Sequence, residues 1–284
     1  MTPDGGLCAQ LACILEVTAR KPGNVHRYAD FADLTYLDFL HSAAVIAPVL
    51  ATATERRVGA TVLECVRATR RVVRTNTNLG MVLLLAPLAA VPEGGELRRG
   101  VAQLLSGLGV EDSRLVFEAI RLAVPGGLGE AAEQDVRGEP TLTLREVMAL
   151  AADRDLIARQ YAKDYAEVFD EGVPALRRAL EELGALESAI VRTHLHLMAH
   201  YPDTLIVRKR GLAEAQEAAR RARQALDAGW PHRPEGHDAF AALDAWLREV
   251  GHQRNPGTTA DLVAACLFVV LRAGDLTFPL RVPW

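Results

Sequence analysis

Aromatic side chains are scarce in this chain: Phe, Trp and Tyr make up 5% of 284 residues, although half of all residues are hydrophobic. The apolar mass is therefore mostly Ala, Leu and Val, a stock that suits closely packed helices and not a β-sandwich. Clustered positive charge is missing as well. The 32 Lys and Arg residues face 36 Asp and Glu, for a formal charge of −4, and the bases are scattered among the acids. No face is built for a phosphate backbone, which excludes nucleic acid as a partner. The four cysteines, Cys8, Cys13, Cys65 and Cys266, form no C-x-x-C pair and lie in apolar stretches. They read as small buried hydrophobes in a reducing, cytoplasmic setting. Met1–Gly6 lacks a basic leader segment, and the apolar run Met81–Val91 is too short to span a bilayer. Membrane insertion and secretion are thus disfavoured. Walker A, Rossmann and G-x-S-x-G patterns are all missing, so no nucleophilic serine or cysteine is marked out.

What is present is apolar spacing near 3.6 residues almost throughout. Helices are expected over 7–20, 35–50, 61–74, 80–91, 96–108, 112–123, 173–183, 186–200, 212–228 and 237–250, with a further pair from Thr143 towards Phe169 and a last helix from Asn255 to Arg272. Thr35 with Asp38, and Thr143 with Glu146, have capping-box spacing. The 80–91 helix is apolar on every side and must be central. No repeat or linker divides the chain, which reads as one all-α, multihelical domain over residues 1–284 with about a dozen helices.

Polar clusters fall at the helix ends, where unpaired N–H groups and partial positive charge favour anions. In Asn255-Pro256-Gly257-Thr258-Thr259-Ala260-Asp261, Asn255 suits an N-cap and Pro256 the first helical position. Thr258 and Asp261 then share a face, fit either for phosphate with its magnesium or for ordinary capping. Thr75-Asn76-Thr77-Asn78-Leu79-Gly80 is a turn or a ligand cradle leading into the buried helix. Glu16 sits unfavourably near a helix carboxyl end, which points either to a specific partner, Lys21 or a metal, or to an ordinary solvated side chain. The expected loop 203–211 places Asp203 beside Arg208, Lys209 and Arg210, of which Arg suits bidentate phosphate contacts and Lys a point charge. His196 and His200 are four apart, but Leu197 stands where H-E-x-x-H has its acid, so packed or hydrogen-bonded histidines are expected instead of zinc.

Taken in order, these segments resemble the triphosphoribosyl-dephospho-CoA synthase family from about residue 10 to 275. Glu16-Val17-Thr18 with Lys21-Pro22-Gly23 is similar to the family's E-V-[ST] and P-K-P-G. Asp38 and Ser42 fit part of D-x-x-x-F-x-x-S-A, and Asn76-Thr77-Asn78-Leu79-Gly80 fits part of N-T-H-K-G. Gly129-Glu130-Ala131 is similar to G-E-A, Asp203-Thr204 with Arg208 to D-[ST]-N…R-G-G, and Gly257 with Ala260-Asp261-Leu262 to G-G-x-A-D-L. The resemblance implies an all-helical transferase that moves the triphosphoribosyl group of ATP to the ribose hydroxyl of dephospho-CoA and expels adenine. It implies Glu16 or Asp38 as the catalytic carboxylate, and Asp261 and Glu130 as magnesium ligands. Nucleotide contacts would come from Lys21, Gly23, Asn76, Thr77, Asn78, Arg208, Lys209, Gly257 and Thr258. Asn78-Leu79 replaces the family's His-Lys, and Thr258 its second Gly. These departures keep two alternatives in view, a related nucleotide-dependent transferase with another cofactor-precursor acceptor, such as a pterin-type C1 carrier, and a non-catalytic nucleotide-binding protein. Oligomer formation is compatible with either.

Overall fold

Capping chemistry sets many of the helix starts. Asp4 accepts from the Leu7 N–H at the head of α1 (Gly5–Thr18), and Thr35 and Asp38 close a reciprocal capping box on α2 (Tyr36–Leu50). The computed structural model describes residues 4–125, 133–276, 279 and 282–284. The chain continues through α3 (Val58–Val72), α4 (Leu79–Ala89), α5 (Leu97–Ser106) and α6 (Val110–Ala123). Thr143 and Glu146 form the expected second box on α7 (Leu144–Ala151), and Asp155 caps α8 (Leu156–Ala162). A π-helical segment, Glu167–Gly172, runs into α9 (Val173–Leu183), followed by α10 (Leu186–His200), α11 (Thr204–Arg210), α12 (Leu212–Asp227), α13 (Pro234–Arg248) and α14 (Gly257–Ala273). Fourteen α-helices and no strand occur among the described residues. Two isolated bridges, His26 with Ala29 and Phe31 with Leu34, tighten the polar loop between α1 and α2.

Two helices form the centre. Thirteen of the seventeen residues of α14 are buried, as are ten of the eleven in α4. They pack on one another, and both pack against α1. Pro87 lies inside α4 and has no N–H to give the carbonyl of Leu83 four residues earlier. Buried Tyr161 supplies the missing donor, its hydroxyl reaching Leu83 O at 2.7 Å, and Tyr165 reaches Leu84 O at 2.9 Å. Two tyrosines thus hold the helix whose amino terminus faces the cavity described below.

The sequence reading needs correction at two helix ends. Residues 204–210 are helical, not looped: Asp203 Oδ1 accepts from the N–H groups of Leu205 and Ile206, nucleating a two-turn helix. Asn255 does not cap α14. The N-cap position is Pro256, and the Asn255 side chain instead accepts from Asn24 Nδ2 at 2.6 Å. No helix among the described residues is long and apolar enough to cross a membrane.

Candidate active site

A cavity of about 1120 Å³ opens between the carboxyl end of α1, the amino ends of α4 and α14, and α11, and extends along α6 and α7. Its walls gather segments far apart in sequence: Glu16, Asn24, Asn76 to Gly80, Arg208, Lys209, and Asn255 with Gly257, Thr258 and Asp261.

Asp261 occupies the closest-packed position. A Cβ built on Gly80 would lie 1.9 Å from Asp261 Oδ2 and 2.6 Å from its Cγ, so the carboxylate rests directly against the first turn of α4. Asn76 Oδ1 takes the Leu79 N–H at 3.1 Å, and the first-turn N–H groups of Gly80 and Met81 have no acceptor four residues back. Among the described residues no hydrogen bond or ion pair reaches the Asp261 carboxylate. Burial pushes its pKa well above the ordinary value, and the negative charges of Glu16 and Asp203 push it further.

Glu16 has a specific partner. Its carboxylate meets Lys21 Nζ at 2.9 Å, and the same ammonium donates to the carbonyls of Glu16 and Ala19. Burial raises the Glu16 pKa and lowers that of Lys21, with their mutual attraction opposing both shifts. Lys21 is completely buried and lies off the cavity wall, so it meets Glu16 where a nucleotide contact was expected.

Asp38 and Gly23 also lie off that wall. Asp38 Oδ2 is committed to the Thr35 N–H and hydroxyl at 2.9 and 2.7 Å, so capping is its structural task. Its carbonyl takes the Ser42 hydroxyl proton, so the hydroxyl of Thr77, 2.6 Å from Ser42, must donate in turn. Gly23 has a φ of +73°, and a Cβ there would stand 2.7 Å from that of Leu247. Its N–H donates to Asp244 Oδ1, fixing the turn.

The amide and hydroxyl expectations do meet the cavity. Asn78 Nδ2 donates to Thr69 Oγ1, which leaves its carbonyl oxygen for a ligand. Thr258 Oγ1 accepts from Thr204 at 3.1 Å and keeps its own proton to give. Gly257 leaves room for Leu205, whose Cδ2 a Cβ would approach to 2.6 Å. Arg208 pairs with Asp155 at 3.0 Å, and Lys209 donates to the carbonyl of His252, its pKa lowered by burial and by Arg208. Glu130 lies outside the described residues.

Three further groups shape the site, of which only Asp203 stands out in the sequence. Asp203 is buried and takes four donors: Leu205 N and Ile206 N on one oxygen, Thr259 N and Thr259 Oγ1 on the other. It thereby clamps α11 to α14 beside Asp261. Asn24 is 5% exposed, lines the cavity, and leaves its Oδ1 without a donor. Arg70 and Arg74, at the end of α3, add positive charge to the rim. No cluster of three or more His, Cys, Asp or Glu ligands exists among the described residues. His194 is buried with both ring nitrogens unpartnered among the described residues and a strongly lowered pKa, whereas His200 donates from Nδ1 to the carbonyl of His196 and accepts at Nε2 from Arg223.

The sequence profile of the ATP:dephospho-CoA triphosphoribosyl transferase family matches residues 4–277. The chain belongs to this family. It is 26% identical to the probable 2-(5''-triphosphoribosyl)-3'-dephosphocoenzyme-A synthase of Malonomonas rubra, across 94% of this chain and 86% of that protein. The 2-(5''-triphosphoribosyl)-3'-dephosphocoenzyme-A synthase of Klebsiella pneumoniae is 31% identical over 116 residues, which span 41% of this chain and 38% of that protein's length. A solved structure from Archaeoglobus fulgidus, provisionally named triphosphoribosyl-dephospho-CoA synthase, superposes with a TM-score of 0.62 at 25% identity and covers 83% of this chain and 99% of its own. The all-helical family fold expected from the motifs is therefore the fold found.

Proposed function

We propose that the protein transfers the triphosphoribosyl group of ATP to a ribose hydroxyl of dephospho-CoA and releases adenine. The observation carrying this reading is the Asp261 carboxylate, which has no hydrogen-bond or ion-pair partner among the described residues and faces the amino terminus of α4 in the same cavity as Glu16. A new bond forms between the acceptor oxygen and C1′ of the ATP ribose as the C1′–N9 bond to adenine breaks. The acceptor hydroxyl loses its proton and adenine departs carrying one. Glu16 is the base: burial already favours its protonated form, and Lys21 orients it from behind. Asn76 and Asn78 offer amide partners to the leaving base or the sugar, and Arg208, Lys209 and Thr258 line the triphosphate.

Magnesium fits the residues present. Asp261 supplies a carboxylate that burial and its neighbours' negative charge make unstable on its own, and magnesium needs only one or two protein carboxylates when phosphates complete its shell. When bound it would neutralise triphosphate charge; Glu130 is the second ligand proposed. The four cysteines are buried and none forms a disulfide among the described residues, in keeping with a single cytoplasmic domain.

The test is to incubate the protein with ATP, magnesium and dephospho-CoA and follow free adenine by chromatography. Stoichiometric adenine with a mass increment on the acceptor is expected. Phosphate or pyrophosphate release without adenine would replace this reading with a phosphohydrolase.

A further inference from the structure

The chemistry above uses only one end of the cavity. Acids, amides and hydroxyls gather where α4 and α14 begin, whereas α6 and α7 present Val116, Phe117, Ile120, Leu144, Val147 and Met148. Val124 and Leu150 continue this apolar limb to the surface, where they are 72% and 43% exposed. Arg154 lies beside them on the cavity wall, its guanidinium held to the carbonyl of Leu150.

The two substrates of the proposed reaction are divided in the same way as the cavity. ATP is charge-dense, and its base carries ring nitrogens and an amino group around its edge. Dephospho-CoA joins a nucleotide diphosphate to a long, uncharged pantetheine arm containing methylenes and two geminal methyl groups. Adenine placed against α6 and α7 would meet mainly hydrocarbon, whereas the 75–78 turn offers its ring nitrogens and amino group amide and hydroxyl partners. The arm's methylenes and methyls gain by leaving water against α6 and α7. Its two amides keep solvent contact along the open side marked by Leu150 and Val124.

We propose that the α6–α7 limb receives the pantetheine arm and so selects the acceptor, with the base of ATP held by the amide-rich 75–78 turn; the assignment rests on the transferase reading given above. Val147 and Leu150 then act as specificity-determining residues for the acceptor.

Calorimetric titration of the whole protein with dephospho-CoA, and separately with magnesium ATP, tests the assignment without requiring turnover. Val147→Trp should fill the limb and weaken dephospho-CoA binding about tenfold or more while ATP stays within about twofold. Leu150→Gln, at an exposed position that tolerates substitution, should weaken dephospho-CoA by a few-fold and guards against a misfolded tryptophan variant. A loss of ATP affinity with dephospho-CoA spared would overturn the assignment, as would equal losses for both or a wild-type protein that does not bind dephospho-CoA. Failure of the reaction reads differently. Wild-type protein that binds both compounds but frees no adenine refutes the transfer and leaves the limb assignment standing.

Discussion

Replacing Gly80 by alanine should separate activity from stability, because the two respond with opposite sign. The new methyl would fall 1.9 Å from Asp261 Oδ2, whereas ordinary contact begins near 3.4 Å, so the carboxylate must retreat by about 1.5 Å. Asp261 is a short side chain with room on the cavity side, so it can swing away without unfolding the helix. Alanine is itself the better helix former, favoured over glycine by up to ~1 kcal/mol within a helix, which offsets residual strain. The melting temperature of ligand-free protein should therefore stay level or rise slightly. Catalysis has no such compensation. A misplacement of about 1 Å in a positioned group costs on the order of a hundredfold in rate, and here the displaced group is the one proposed to hold the metal and triphosphate. Adenine release should fall by that order, and magnesium ATP should lose most of its stabilising effect on the melt. A Gly80→Ala protein that retains wild-type adenine release would refute the placement of Asp261 at the reacting centre.

Two further substitutions test the buried charges. The raised pKa of Asp261 means that the folded state binds its proton more tightly than the unfolded chain does, so this carboxyl helps folding below its ordinary value of 3.8 and that help is lost as pH rises through the elevated folded value. Asp261→Asn should accordingly raise the melting temperature of ligand-free protein at neutral pH, with the gain shrinking towards pH 4, and should abolish stabilisation by magnesium ATP; an unchanged or lowered melt at neutral pH counts against the shift. Lys21→Met leaves Glu16 buried beside a methyl group and should cost roughly 3–5 kcal/mol in a denaturant titration. The Glu16→Gln/Lys21→Met double variant should recover much of that loss, and equal destabilisation of single and double variants would mean the pair is not coupled.

Much of the scaffold was legible because its signals are local. Thr35 with Asp38 and Thr143 with Glu146 needed only their spacing to announce helix starts, and both boxes formed. The buried character of α4 followed from a segment with no polar face. The unfavourable position of Glu16 near a helix carboxyl end suggested a partner as readily as a solvated side chain, and the partner, Lys21, is what the fold supplies. What escaped the sequence was tertiary. Asp38 satisfied a capping rule and a family motif at once, and in the fold the capping rule takes its oxygen for Thr35. The seven residues of α11 are too few for a periodic signal, and their start depends on Asp203 serving two helices. Asn255 looked like a cap because no local pattern reveals Asn24, which is 231 residues distant and competes for its oxygen. The hydrophobic residues of α6 and α7 obeyed helical spacing equally well as core or as cavity wall, so periodicity alone could not identify the limb.

The three acids at the polar end differ in how the protein answers them. Burial raises the pKa of Asp203, Glu16 and Asp261 alike. Four donors compensate Asp203, and a buried ammonium compensates Glu16. The carboxylate of Asp261 receives no such compensation among the described residues, although it stands against helix α4 and its two acidic neighbours raise its energy further. A half-buried carboxyl without a protein partner destabilises the free protein, and a proton or a bound cation relieves it. That asymmetry is the physical reason for assigning the metal and triphosphate to Asp261 and the proton transfer to Glu16, because the two carboxylates share one cavity but only one of them already has its countercharge.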